Sequence, residues 1–84
     1  MEGAENMSLL YTPLSEVPLG RKAKISQILC EREYKRRLLD LGMAENTYVV
    51  PLFRSIGGGL TAYAVRGSVI AVRKENANQI MIKK

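Results

Sequence analysis

The sequence predicts a mainly β fold, a small closed barrel of about five short strands with one short helix after the first strand. Three observations carry that prediction. Most apolar residues fall in runs of roughly four to eight, alternating with polar residues or bounded by Gly, Pro and Asn, as strands are. One stretch alone, residues 31–41, changes to a helical period. The length of 84 residues, 46% hydrophobic and 25% charged, suits one small core, and closure into a barrel removes the open edges that a sheet of this size would expose.

Residues 1–8 show no periodicity and are expected to form a flexible leader ahead of a single domain over 9–84. The leader is acidic and polar, unlike a secretory signal. Pro13 and Pro18 exclude one long helix through residues 9–20, which reads as an extended entry with a short turn, aiming Leu14, Val17 and Leu19 at the core. Residues 22–29 alternate at Ala23 and Ile25 and then slip at Ile28 and Leu29, giving a half-buried first strand with a bulge where the alternation breaks.

In residues 31–41, Tyr34, Leu38 and Leu41 fall at helical spacing, and Leu39 widens the stripe. Gly42 stands where a left-handed residue ends a helix. Glu31 with Lys35, and Glu33 with Arg37, place acid four residues before base on the solvent face. Asn46 tolerates positive φ, so residues 44–46 read as the turn into the next strand.

Residues 48–54 form a strand whose Pro51 calls for an edge or a bulge. Residues 55–59 end in three glycines and suit a loop. Residues 60–65 and 68–73 flank Arg66-Gly67, a two-residue hairpin turn by spacing. A short turn or 3₁₀ segment over 74–79 then leads to a last strand at 80–82.

Composition excludes much chemistry. There is no histidine, so the usual general base and metal ligand are missing, and Cys30 is the single cysteine, which rules out a disulfide or a cysteine cage within the chain. Cys30 lies between a strand and a helix, where a helix N-terminus could lower its pKa, but it reads more simply as a small semi-buried apolar residue. Catalytic residues, a cofactor and a metal site are accordingly not expected. Gly57-Gly58-Gly59 lacks the Lys-Ser/Thr and following helix of a phosphate-binding loop. No apolar run is long enough for a membrane helix, and membrane insertion is not expected; the cytoplasm is the expected location.

Charge is unevenly spread. Residues 1–45 hold seven basic and seven acidic side chains, whereas residues 46–84 hold six basic ones and only Glu75, so the whole net charge of +5 lies in the second half. Such a field favours an acidic partner, nucleic acid or an anionic membrane surface. Tyr48, Phe53, Tyr63, Arg54, Arg66 and Arg73 could serve a nucleic-acid groove, although no aromatic run of the kind found in RNA-binding sheets is present. An aromatic-lined groove for proline-rich peptides is not expected in a chain without Trp.

The segment Arg37-Leu38-Leu39-Asp40-Leu41-Gly42-Met43 resembles the R-L-x-x-L-G-[LM] signature of the FeoA proteins, small components of bacterial ferrous-iron transport systems. Pro18-Leu19-Gly20, residues 67–73 (like G-x-x-[IV]-A-[LIV]-R) and residues 77–82 (like A-x-x-I-x-V) follow the family order, and the likeness spans roughly residues 13–82. Two departures stand out: Asn46 replaces a glycine, and residues 55–59 lack the two prolines of the family loop. The resemblance implies an SH3-like barrel with a helix inserted after the first strand. It also implies a non-enzymatic cytoplasmic accessory that docks on a large ferrous-iron permease with a GTP-binding domain, and transition-metal binding at the level of the family; with no histidine and a single cysteine, tight iron binding by the chain itself is not expected. The expected contact surface comprises Met43, Arg54, Gly57, Gly58, Gly59, Arg66 and Gly67, and weak self-association is a further expectation. The alternative is a basic barrel that binds nucleic acid or serves as an interaction module of an iron-responsive regulator.

Overall fold

A computed structural model describes residues 11–83, and the leader expected over residues 1–8 lies outside them. Six strands are present: β1 (Tyr11–Pro13), β2 (Ala23–Ile28), β3 (Tyr48–Arg54), β4 (Leu60–Val65), β5 (Ser68–Arg73) and β6 (Ile80–Lys83). Helix α1 (Arg32–Asp40) follows β2, and α2 (Lys74–Ala77) is a single turn between β5 and β6. All strand pairs are antiparallel, in the order β1-β6-β2-β3-β4-β5.

Strand β3 is the hinge of the architecture. Its first residues pair with β2 (Ala23↔Val49, Lys24↔Tyr48), and the rest pair with β4 (Val50↔Ala64 to Arg54↔Thr61). The register slips between Pro51 and Phe53. Pro51, which has no N–H to give the ladder, therefore sits beside a bulge, and the bend folds the two halves of the sheet over one core. Leu14, Ile25, Leu38, Val49, Tyr63 and Ile80 fill that core with almost no exposure. The buried Tyr63 phenol is held above its ordinary pKa by desolvation, while a hydrogen bond with Thr61 and the Arg54 charge act against that shift.

The helix is built as its sequence demands, with one change at its start. Glu31 is the N-cap rather than the first helical residue, its carboxylate accepting a long hydrogen bond from the Tyr34 N–H at 3.4 Å. At the other end Gly42 takes φ +99°, the Gly42 N–H donates to Leu39 O (3.0 Å), and the Met43 N–H donates to Leu38 O (2.9 Å). These two bonds form a Schellman cap, with Leu38 and Met43 buried in the same core beneath it. Three parts of the R-L-x-x-L-G-[LM] signature thus have a mechanical meaning: Leu38 and Met43 are the apolar contact of the cap, and Gly42 is its left-handed residue.

The mainly β expectation holds, with six strands where five were expected and the helix after the second strand. The added strand β1 is only three residues long and ends in proline, so it carries no alternation to read; it exists because β6 offers it an edge (Thr12↔Ile82). Residues 74–77 close an α-helical turn rather than a 3₁₀ one. The β2 bulge lies between Ile25 and Gln27, earlier than the break in alternation suggested, because Ile28 returns to the core opposite Ile80. Leu14 and Val17 are buried as expected, but Leu19 is 45% exposed at the tip of a turn. Among the described residues, no helix is long and apolar enough to cross a membrane.

Candidate functional site

The expected contact residues fall into two groups at opposite ends of the β4–β5 hairpin. Arg66 and Gly67 form the tip, with φ +51° and +84°, the paired positive values of a tight hairpin turn. That tip lies against the end of α1: a Cβ built on Gly42 would stand 3.5 Å from Arg66 Cδ. The arginine's aliphatic stem covers the helix cap and its charge is exposed beyond it.

Gly57, Gly58 and Gly59 lie at the far end of the ladder, roughly 17 Å away for six-residue strands. Gly57 and Gly58 take φ +87° and +77°, so they shape the loop. Ser55 holds it shut: its hydroxyl accepts from the Leu60 N–H (3.0 Å), and its carbonyl accepts from the Gly58 N–H (2.8 Å). The side chain that this loop displays is Ile56, fully exposed at its crest. Nothing in the sequence pattern singled out Ile56, because an apolar residue beside glycines looks like a strand remnant. Arg54 lines a small cleft with Gly58 and Lys74 and donates from Nη2 to the Val17 carbonyl (3.4 Å), so part of its role is to tie β3 to the entry segment.

Met43 requires a correction. It is completely buried in the core, so it cannot meet a partner on the folded surface. Leu41, expected in the core stripe, is instead 48% exposed. The helix explains the exchange: Leu38 faces the sheet, Leu41 at the C-cap has turned past it, and the chain reversal at Gly42 carries Met43 back inside.

Leu41 opens onto a groove of about 400 Å³ between α1 and β5, the strand that ends the sheet. Tyr34, Leu60 and Ile70 contribute to its lining, and Arg37 and Arg73 add charge. The Tyr34 phenol is held above its ordinary pKa, chiefly by burial and next by Cys30, with Arg73 and Arg37 pulling the other way. At working pH the groove therefore offers apolar surface, a neutral hydroxyl and two cations. Because among the described residues no strand lies on the outer side of β5, an extended segment could also pair with it there.

Cys30 is buried, its Sγ 3.5 Å from the Asn76 carbonyl, and desolvation raises its thiol pKa more than the Lys35 charge lowers it. The helix N-terminus does not activate it. No group of three or more His, Cys, Asp or Glu placed to hold a metal occurs among the described residues. Of the aromatics that could stack on nucleic acid, Tyr63 is buried, while Tyr48 and Phe53 lie at opposite ends of β3.

Comparison with known proteins agrees with this architecture. A family model described as FeoA domain matches residues 12–84. The solution structure of FeoA from Chlorobium tepidum superposes with a TM-score of 0.83 at 25% identity, covering 86% of this chain and 69% of that one. The zinc complex of FeoA from Stenotrophomonas maltophilia, described as a prokaryotic SH3 domain protein, gives 0.75 at 24% identity, covering 86% and 89%. A manganese-dependent transcriptional repressor shares the fold at 0.78 with 15% identity, over 88% of this chain and 41% of the repressor. No curated protein shows significant similarity to the chain.

Proposed function

The chain belongs to the FeoA family, and from that premise we propose that it is a non-enzymatic cytoplasmic accessory of ferrous-iron transport that binds the cytoplasmic part of a membrane permease carrying a GTP-binding domain. The Stenotrophomonas maltophilia relative is described as a candidate ferrous-iron transport activating factor, which supports the same role here. The observation that carries the interaction is the groove between α1 and β5. A small barrel that has buried Leu38 and Met43 still leaves Leu41 half exposed beside Leu60, flanked by Arg37 and Arg73. Apolar surface rimmed by charge is the composition of a docking site.

The groove and the neighbouring Arg66 take an acidic, partly apolar segment of the partner. Arg66→Glu combined with Arg73→Glu reverses two exposed charges on that face. This pair is a cleaner choice than one including Arg54, which also holds Val17. Loss of pull-down by the permease's soluble domain, with unfolding unchanged, is the expected result; undiminished capture would refute charge-guided docking. The likeness to a repressor is one of fold, and binding to nucleic acid would show as an association that weakens steeply with salt.

A further inference from the structure

On the other half of the sheet the chain carries a face that the docking groove does not use. Lys24 on β2 stands directly opposite Lys83 on β6 and, on its other side, opposite Tyr48 on β3. Like charges facing each other across antiparallel strands repel, so this register costs stability. The ammonium groups of Lys22 and Lys24 lie 4.7 and 5.7 Å from the centroid of the half-exposed Tyr48 ring. Arg21, Lys22 and Lys83 also line a cleft of about 460 Å³, where Glu16 is the acidic lining residue.

The turn that enters this face ends in an exposed leucine. Leu19 sits beside Gly20, whose φ of +86° makes the turn and whose N–H donates to the Pro51 carbonyl at 2.7 Å. The tip is therefore fixed to β3 and displays an aliphatic side chain next to Arg21 and Lys22. The cations and the phenol ring thus share one face, and the turn that leads into it displays Leu19 two residues ahead of Arg21. Nucleic acid would engage the cations and the ring but has no use for the leucine. The boundary of an anionic bilayer accommodates all three: phosphates meet the ammonium groups, the ring lies at headgroup depth, and the leucine reaches the acyl edge.

We propose that the face formed by Leu19, Arg21, Lys22, Lys24, Tyr48 and Lys83 rests on an anionic lipid surface. The contact is peripheral and reversible, since a few cations and one aliphatic side chain give weaker attachment than the two membrane signals a stable anchor needs. It is independent of the permease, and vesicles without protein test it alone.

The test is co-sedimentation of the full chain with vesicles of phosphatidylcholine mixed with phosphatidylglycerol, against pure phosphatidylcholine. Binding to the mixed vesicles only, declining with salt, is the expected result. Lys22→Ala with Lys24→Ala should weaken it by about 30-fold, from roughly fivefold per cation. Leu19→Ser should weaken it as well. Lys24→Thr should lower lipid binding while its thermal midpoint stays close to that of the parent, because relief of the repulsion with Lys83 offsets loss of the 5.7 Å contact with the Tyr48 ring; this separates a loss of binding from a loss of fold. No sedimentation with the mixed vesicles, or equal sedimentation with both kinds, overturns the proposal. Leu19→Ser binding as the parent does, with single-stranded DNA displacing both, overturns it in favour of a soluble polyanion.

Discussion

Leu38 and Leu41 stand three residues apart in one signature motif, yet the structure gives them different work, and truncating each to alanine separates the two roles. Leu38 is 2% exposed, and its side chain closes the Schellman cap against Met43. Removing it leaves a cavity beneath the helix and should cost about 2–5 kcal/mol. A domain of this size has roughly 4–13 kcal/mol in total. Leu41 is 48% exposed, so alanine there forfeits about half of a leucine's burial, on the order of 1 kcal/mol. With about 4–8 °C per kcal/mol for a domain of this length, Leu38→Ala should lower the thermal midpoint by about 8–40 °C and Leu41→Ala by only about 4–8 °C. Thermal unfolding followed by circular dichroism, with urea titration as a second measure, reads both. Equal losses in the two variants would refute the assignment of Leu38 to the core and Leu41 to the surface.

Gly42→Ala forces an L-residue to φ +99° and should cost about 1–3 kcal/mol in urea unfolding, whereas Asn46→Gly, at φ +69°, should stay within about 0.5 kcal/mol of the parent. Burial raises the pKa of both Cys30 and Tyr63 above their ordinary 9.0 and 10.0. The unfolded chain therefore releases these protons first, so their stabilising contribution is complete below about pH 9 and is lost as pH rises through the folded values. Melting between pH 8 and pH 11 should show a smaller alkaline loss in Tyr63→Phe than in the parent. An identical slope in the two would contradict the burial of that phenol.

Much of the framework was legible because local rules and tertiary packing agree. The helical period of residues 31–41, the glycine stop, the positive φ of Asn46 and the Arg66-Gly67 hairpin are all local chemistry, and each is found where its residues stand. Pro51 announced its bulge for the same reason, since a missing N–H must be accommodated wherever the strand lies. What was not legible depends on neighbours distant in sequence. β1 is a strand only because β6 pairs with it, and Leu19 is exposed because the turn at Gly20 lifts it away from a core that Leu14 and Val17 already fill.

The candidate site was half legible for a related reason. Arg66 and Gly67 could be placed at a tip by spacing, and the glycines of residues 57–59 in a loop. That one group lies beside the helix end and the other a ladder's length away is a property of the fold. Apolarity alone could not tell Met43 from Leu41, because helical spacing continues through both while the cap reverses the chain between them. The exposed Ile56 and the groove lining at Leu60 and Ile70 became visible only when the strands were assembled. The charge asymmetry also changed meaning in three dimensions, because Lys22 and Lys24 of the neutral first half join Lys83 of the basic second half on one face.

If the groove between α1 and β5 receives the permease, a binding titration of the permease's soluble cytoplasmic domain distinguishes the parent chain from Leu41→Ser, which alters the groove while leaving the core residues in place. At least a tenfold weaker Kd for Leu41→Ser, about 1.4 kcal/mol, is the predicted result, the size of loss found at the centre of an interface. An unchanged Kd in a folded Leu41→Ser variant would place the contact elsewhere on the barrel.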